Sequence, residues 1–203
     1  QVLIGSCTNS SLLDMMKVAK ILKGKKVHPS VSLGIAPGSK QVLNMLALNG
    51  CLADMIDAGA RILESACGPC IGMGQSPATD AVSLRTFNRN FYGRSGTNSA
   101  SVYLVSPEVA ALSAVNGYIS SPLGMELNEF SLDVEYPKCD SLLYKPTFTS
   151  EVVMGPNIKP IPNFAPIGNE FDAKVMISLD DNITTDHIMP AGAKILPYRS
   201  NIP

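Results

Sequence analysis

Over residues 1 to about 120, short apolar runs alternate with stretches of helical period. Val2-Leu3-Ile4 is a continuous apolar run that reads as a buried strand. A polar turn, Gly5 to Ser10, leads into a helix over Leu12 to Leu22, with Asn9, Ser10 or Ser11 as its cap. Val31 to Ala36 reads as a second strand. Pro37-Gly38-Ser39 turns the chain into a helix ending near Gly50, a C′ glycine. Arg61 to Glu64 is a third strand, ending in a turn rich in glycine and proline. Leu84 to Phe87 and Val102 to Val105 read as further strands. Ser106-Pro107-Glu108 then opens a helix through Val115, with Ser as N-cap and Pro at the first helical position. This alternation predicts an α/β fold: a three-layer domain over residues 1–125, with a mainly parallel sheet and helices on both faces. Ligands of such sheets collect at the carboxyl ends of the strands, which here means the loops after Ile4, Glu64 and Phe87.

The pattern then breaks. Seven of the 15 prolines fall between residues 122 and 166, and Met154 to Pro160 cannot form a regular helix or central strand. Residues 126–170 therefore read as an extended linker. Val175 to Ser178 reads as a new strand that opens a truncated further domain over 171–203. The chain starts on Gln1 inside an apolar run and stops at Asn201-Ile202-Pro203, so it is expected to be a piece of a longer protein. Charge narrows the partners: 16 Lys and Arg against 17 Asp and Glu argue against a nucleic-acid surface or a polybasic membrane anchor. Apolar residues at 45% and charged residues at 16% allow a real core rather than disorder. No apolar run approaches the roughly 20 residues of a membrane span, and no signal-peptide pattern is visible. Five cysteines, an odd number, point to reduced thiols or a metal centre. A cytoplasmic protein is expected, or a mitochondrial-matrix one in a eukaryote.

Cys67-Gly68-Pro69-Cys70 is the sharpest local signal. Two sulfurs at this spacing can share a metal, form a redox pair or be structural thiols. A redox pair opens a helix, whereas two glycines follow here in Ile71 to Gly74. Zinc needs four ligands, and the histidines, His28 and His187, sit in unrelated contexts. Cys7 lies in a strand-to-helix turn, where backbone N–H groups favour an anion. Three thiolates around a four-iron cluster would leave one iron open for chemistry. Cys51 reads as a small buried hydrophobe, and Cys139 receives no role. Asn88 to Arg94 places two arginines five apart, able to grip carboxylates or to form a solvated basic loop. Thr184-Thr185-Asp186-His187 is either a catalytic pair or a capping motif. The methionines Met15, Met16, Met45, Met55 and Met73 read as core filler.

Three of these segments, in order, resemble signatures of the aconitase family with its relatives homoaconitase and isopropylmalate isomerase: Ile4 to Ser10, Ala66 to Gly72, and Phe87 to Arg94. The 60 residues from Cys7 to Cys67 fit the family, and Thr184 to Gly192 resembles the opening of its C-terminal swivel domain. The resemblance implies a [4Fe-4S] cluster on Cys7, Cys67 and Cys70, used as a Lewis acid rather than an electron carrier. It also implies that Arg89 and Arg94 bind substrate carboxylates, that Asn88 orders the site, and that Asp186 is an active-site acid. Arg199 corresponds to a substrate-binding arginine after a small alignment shift. The family's serine base lies beyond Pro203, and its histidine–carboxylate pairs precede Gln1. The piece alone is therefore expected to be inactive and free of cluster. The first expectation is a hydro-lyase interconverting citrate and isocitrate in the tricarboxylic acid cycle. The alternative is a homoaconitase or 3-isopropylmalate dehydratase, whose two parts are often separate subunits. An RNA-binding regulator is a third reading, for which near-neutral charge and 6% aromatic content give no footprint. The expected partners are a small di- or tricarboxylic acid and the remaining domains of the chain.

Overall fold

The computed structural model describes residues 1–127, 136, 140, 143–146, 151, 153–156, 158–160, 162–183 and 185–189. The chain divides into two units, residues 1–144 and 145–203. In the first, five strands form one sheet: β1 (Val2–Gly5), β2 (Leu33–Ala36), β3 (Arg61–Ile62), β4 (Val82–Arg85) and β5 (Ser101–Leu104). Their order is β3-β2-β1-β4-β5, and every neighbouring pair is parallel. All four residues of β1 and of β2 are buried, as expected of parallel strands covered on both faces. The α/β reading and its parallel sheet are borne out.

The helices are α1 (Leu12–Leu22), α2 (Lys40–Leu48), α3 (Cys51–Asp57) and α4 (Pro107–Asn116). Ser11 caps α1 in a reciprocal box with Asp14, the hydroxyl accepting from Asp14 N at 3.2 Å and Ser11 N donating to the carboxylate at 3.1 Å. Ser106 caps α4 and Pro107 occupies its first turn, as read from the sequence. Gly50, at φ +82°, ends α2, but the chain then resumes as α3, which the pattern did not reveal. The helices pack their apolar faces together with Val2, Ile4, Leu33, Ile35 and Leu84 in one core cluster. Lys17 on α1 reaches Glu108 on α4 at 3.3 Å.

The opposite sheet face carries Leu3, and loop rather than helix covers it. There Leu3 packs with Cys70 and Phe87, flanked by Leu63 and Ile71. Chain direction explains the difference. From β1 through β3 each step moves one way across the sheet; β3 to β4 and β4 to β5 move the other way. A right-handed crossover taken in the reverse direction must pass over the reverse face. The β3–β4 connection, with Gly68, Pro69, Gly72, Gly74 and Pro77, is a poor helix former, so it crosses as loop.

In the second unit, residues 162–183 form no helix or strand, and α5 (Thr185–Ile188) is a single turn. The strand expected over Val175 to Ser178 is not formed. Val175, Met176 and Ile177 are exposed, and no described residue supplies the ladder that apolar β-formers need to become a strand. Cys139, Thr184, Arg199 and much of the expected linker lie outside the described residues.

Candidate functional site

The site begins where β1 ends. Gly5 has φ +104°, and a Cβ there would collide with the Ala36 carbonyl. Its N–H donates to Thr86 Oγ1 at 2.8 Å, and Ser6 N donates to Ala36 O at 2.8 Å. The end of β1 is thus stitched to the ends of β4 and β2 at once. Ser6 and Asn9 both take positive φ, 72° and 53°. Asn9 Nδ2 donates to Thr86 O at 2.6 Å, closing the turn. Cys7 lies exposed on this turn. It is not at a helix terminus, because Ser11 is the cap of α1 and three residues separate the two. The field expected from helix N–H groups, which fades within one turn, belongs to the residues around Ser11.

Cys67 and Cys70 ride on the loop that crosses the reverse face. Pro69–Ile71 form one 3-10 turn, stopped by Gly72 at φ +83°. No longer helix follows, unlike the helix that a redox pair opens. Both cysteines are free thiols, with their sulfurs 3.9 Å apart. Cys70 is buried against Leu3 and Phe87, while Cys67 is exposed. Cys7 and Cys67 line one cleft of about 160 Å³ together with Ser6, Pro37, Gly38, Ser65 and Ala66. The proximity is felt electrostatically. Cys70 most of all, then burial, the bond with Cys70 and the Cys7 thiol push the Cys67 thiol above its usual range, and Arg94 pulls it back. A thiol whose ionisation its neighbours oppose is a donor that a cationic centre would relieve.

The loop after β4 closes the arrangement. Phe87 is buried and anchors it. Arg94 Nη2 lies 3.9 Å from Cys70 Sγ, and its guanidinium sits 5.7 Å from the Phe91 ring centroid. Asn88 and Arg89 are exposed on the same loop. Gly72 touches this loop so closely that a Cβ would strike the Ser95 carbonyl. Asp186 falls in α5, in the second unit, with its side chain outside the description, and Arg199 is outside the described residues. Met73, expected as core, is half-exposed on the cysteine loop. Cys51 is half-buried against the helix-side core, where burial first and then Asp54 push its thiol upward.

Two features were not legible beforehand. Thr86 serves both the Cys7 turn and the β4 loop, and Arg85 is buried beneath the cysteine turn. A charged residue between Leu84 and Phe87 in a strand run was the available signal. A larger hollow, of about 440 Å³, lies among Gln1, Val31, Val82 and Tyr118, but no thiol, carboxylate, Lys or Arg side chain lines it.

Among the described residues no group of three His, Cys, Asp or Glu side chains closes on one point as a single metal ion requires. An iron–sulfur cluster is a wider object that takes one thiolate per corner. The donor set suits it: Cys7 and Cys67 from two loops line a cleft that no carboxylate or histidine lines, and Cys70 Sγ lies 3.9 Å from Cys67 Sγ. Ser6 Oγ, Thr8 Oγ1 and Ser65 Oγ, beside the cysteines, are buried with no hydrogen-bond partner among the described residues, which leaves donors for a sulfide-bearing group.

A sequence model of the aconitase family (aconitate hydratase) matches residues 1–117. The homoaconitase large subunit of Thermus thermophilus is 45% identical over 130 residues, 64% of this chain and 31% of that protein. The 3-isopropylmalate dehydratase large subunit of Moorella thermoacetica is 48% identical over 124 residues, 60% of this chain and 29% of that protein. A mitochondrial homoaconitase of Cryptococcus neoformans is 35% identical over 192 residues, 91% of this chain and 25% of that protein. The chain thus spans less than a third of the length of these relatives.

Proposed function

The chain belongs to the aconitase family, and from that premise we propose that it is the cluster-bearing part of a hydro-lyase acting on a small hydroxy acid. Cys7, Cys67 and Cys70 would hold a [4Fe-4S] cluster. When bound, that group supplies a Lewis-acid centre for removal and return of water. Arg94, a half-buried planar cation stacked on Phe91, orients a substrate carboxylate beside Cys70. Arg89 supplies a second cation from the same loop, and Asn88 a neutral donor. Asp186 and Arg199 keep the roles that the family likeness implies, an acid and a carboxylate-binding cation, and the groups that move the proton are proposed to come from outside this chain.

The relatives' names favour the homoaconitase or 3-isopropylmalate dehydratase reading over citrate and isocitrate. Two of them are named large subunits, so a separate smaller subunit is the proposed partner. Among the described residues no helix is long and apolar enough to cross a membrane. Free thiols at the site fit a reducing compartment.

The observation that carries this reading is the meeting of the Cys7 turn, the Cys67–Cys70 turn and Arg94 at the carboxyl ends of one parallel sheet. The test is anaerobic reconstitution of the full protein with ferrous iron and sulfide. Iron and sulfide are then measured, with turnover on citrate, its one-methylene homologue and 3-isopropylmalate. Cluster uptake with preference for one of the last two is expected. Absence of sulfide uptake, or a preference for citrate, refutes the corresponding half of the reading.

A further inference from the structure

Arg85 closes β4 in register with Leu3 and is 1% exposed. Each of its three guanidinium nitrogens is engaged. Nε donates to Ser83 Oγ at 3.0 Å, Nη1 to Pro69 O at 3.0 Å, and Nη2 to Gln1 Oε1 at 3.1 Å and Gln75 O at 3.5 Å. The Phe87 ring centroid lies 5.8 Å from its central carbon. Every hydrogen-bond acceptor is neutral, and no carboxylate of a described residue pairs with it. A buried cation without an anion is expensive to keep. The acceptor at Nη1 is the carbonyl of Pro69, between the two cysteines; burial pulls the guanidinium down to about 10, with Cys70 opposing, so it stays charged at neutral pH. Gln75 extends the support: it receives Arg61 Nη1 at 2.8 Å and donates to Ser32 Oγ at 3.1 Å. A polar network thus runs under the cysteine turn from β3 to β4.

We infer that Arg85 is a positioning residue of the cluster site: it fixes the Cys67–Cys70 turn through the Pro69 carbonyl and supplies a permanent positive charge beneath Cys70. This rests on the cluster reading above. A fixed cation under a thiolate-held cluster of negative charge stabilises the more negative, reduced state and so raises the reduction potential. The anchor at Pro69 slows opening of the turn and hence loss of iron.

The test compares wild type, Arg85→Gln and Arg85→Lys in the full protein after anaerobic reconstitution. It reads cluster content, the reduced-to-oxidised ratio at a fixed solution potential by electron paramagnetic resonance, and the rate of iron loss to a chelator. Glutamine keeps a donor without charge; lysine keeps charge without the fork. In Arg85→Gln the reduced-to-oxidised ratio is expected to fall about tenfold, against less than about threefold in Arg85→Lys. Both should lose iron faster. Equal ratios in all three proteins overturn the inference and leave Arg85 a structural cross-link. Where Arg85→Gln does not accumulate, Arg85→Lys decides alone, since a wild-type rate of iron loss in that variant overturns the anchoring. Wild type that takes up no iron and sulfide is read first, and that result overturns the cluster reading itself.

Discussion

Replacing Gly5 with alanine tests whether the Cys7 turn is held by close backbone approach. At φ +104° an L-residue is strained by about 1–3 kcal/mol even in open space. The space is not open: the new Cβ would collide with the Ala36 carbonyl, with Ser10 Cβ 3.3 Å away on the other side. Moving the strand end away from β2 would break Ser6 N–Ala36 O and Gly5 N–Thr86 Oγ1, both 2.8 Å. Each is worth about 1 kcal/mol. The sum is about 3–5 kcal/mol, a large share of the 5–15 kcal/mol of a typical domain, so roughly. In urea this lowers the midpoint by roughly 2 M. Gly24→Ala is the control, because its φ is +67° and nothing lies within 4 Å of the added Cβ. It should cost only about 1–2 kcal/mol. Equal midpoints for the two variants would show that strain alone, and not the approach to Ala36, explains the glycine. The same variant is expected to take up less iron, because the turn that carries Cys7 moves.

Arg94→Lys in the full protein should raise KM about tenfold, since a point charge replaces a stacked planar fork, and unchanged kinetics would return Arg94 to a structural role. Cys51→Ser should leave iron content unchanged, whereas Cys70→Ser should abolish uptake, as iron analysis will read. Glu108→Gln tests a pH dependence. Burial raises the Glu108 carboxyl, but its own backbone N–H, the Ser106 hydroxyl and Lys17 together hold it below its usual 4.5. A depressed carboxylate stabilises the fold above its unfolded value and loses that contribution as pH falls through its folded value. After allowance for solvent screening, the variant should be about 0.5 kcal/mol less stable at pH 7, and the difference should fade below pH 4.5.

The strands at Val2 and Leu33 were legible because both faces of a parallel strand are covered, so burial leaves an unbroken apolar run. The caps at Ser11 and Ser106 were legible because capping is local chemistry. What escaped depended on distant chain. β4 was read two residues late, as Leu84 to Phe87, and the role of Arg85 within it escaped because its acceptors on Gln1, Pro69 and Gln75 are brought to it only by the fold. The helix α3 escaped because only Asn49 and Gly50 separate it from α2, so one glycine both stops a helix and starts the next. Val175 to Ile177 carried strand propensity, but propensity describes fit to a sheet, and no described residue offers one. In the site, the three cysteines were singled out by spacing and by the strand ends they follow. Their mutual distances were set by topology, which spacing does not contain.

That topology accounts for why the proposed cluster ligands and the proposed carboxylate grip share one location. Because β4 lies beside β1 while β3 lies two strands away, the chain must cross the whole reverse face between them. The crossing carries Cys67 and Cys70 back toward the strand that Cys7 follows. The next connection, β4 to β5, lies on the same face by the same handedness and brings Arg94 along. Two loops on one face need a point of contact, and Gly72 provides it by admitting the Ser95 carbonyl where any Cβ would intrude. Cys70 and Arg94, 24 residues apart, are thereby fixed at 3.9 Å. A substitution at Gly72 should consequently disturb metal uptake and substrate affinity together. One that spares the contact, such as Gly74→Ala with nothing within 4 Å, should disturb neither beyond its own backbone strain.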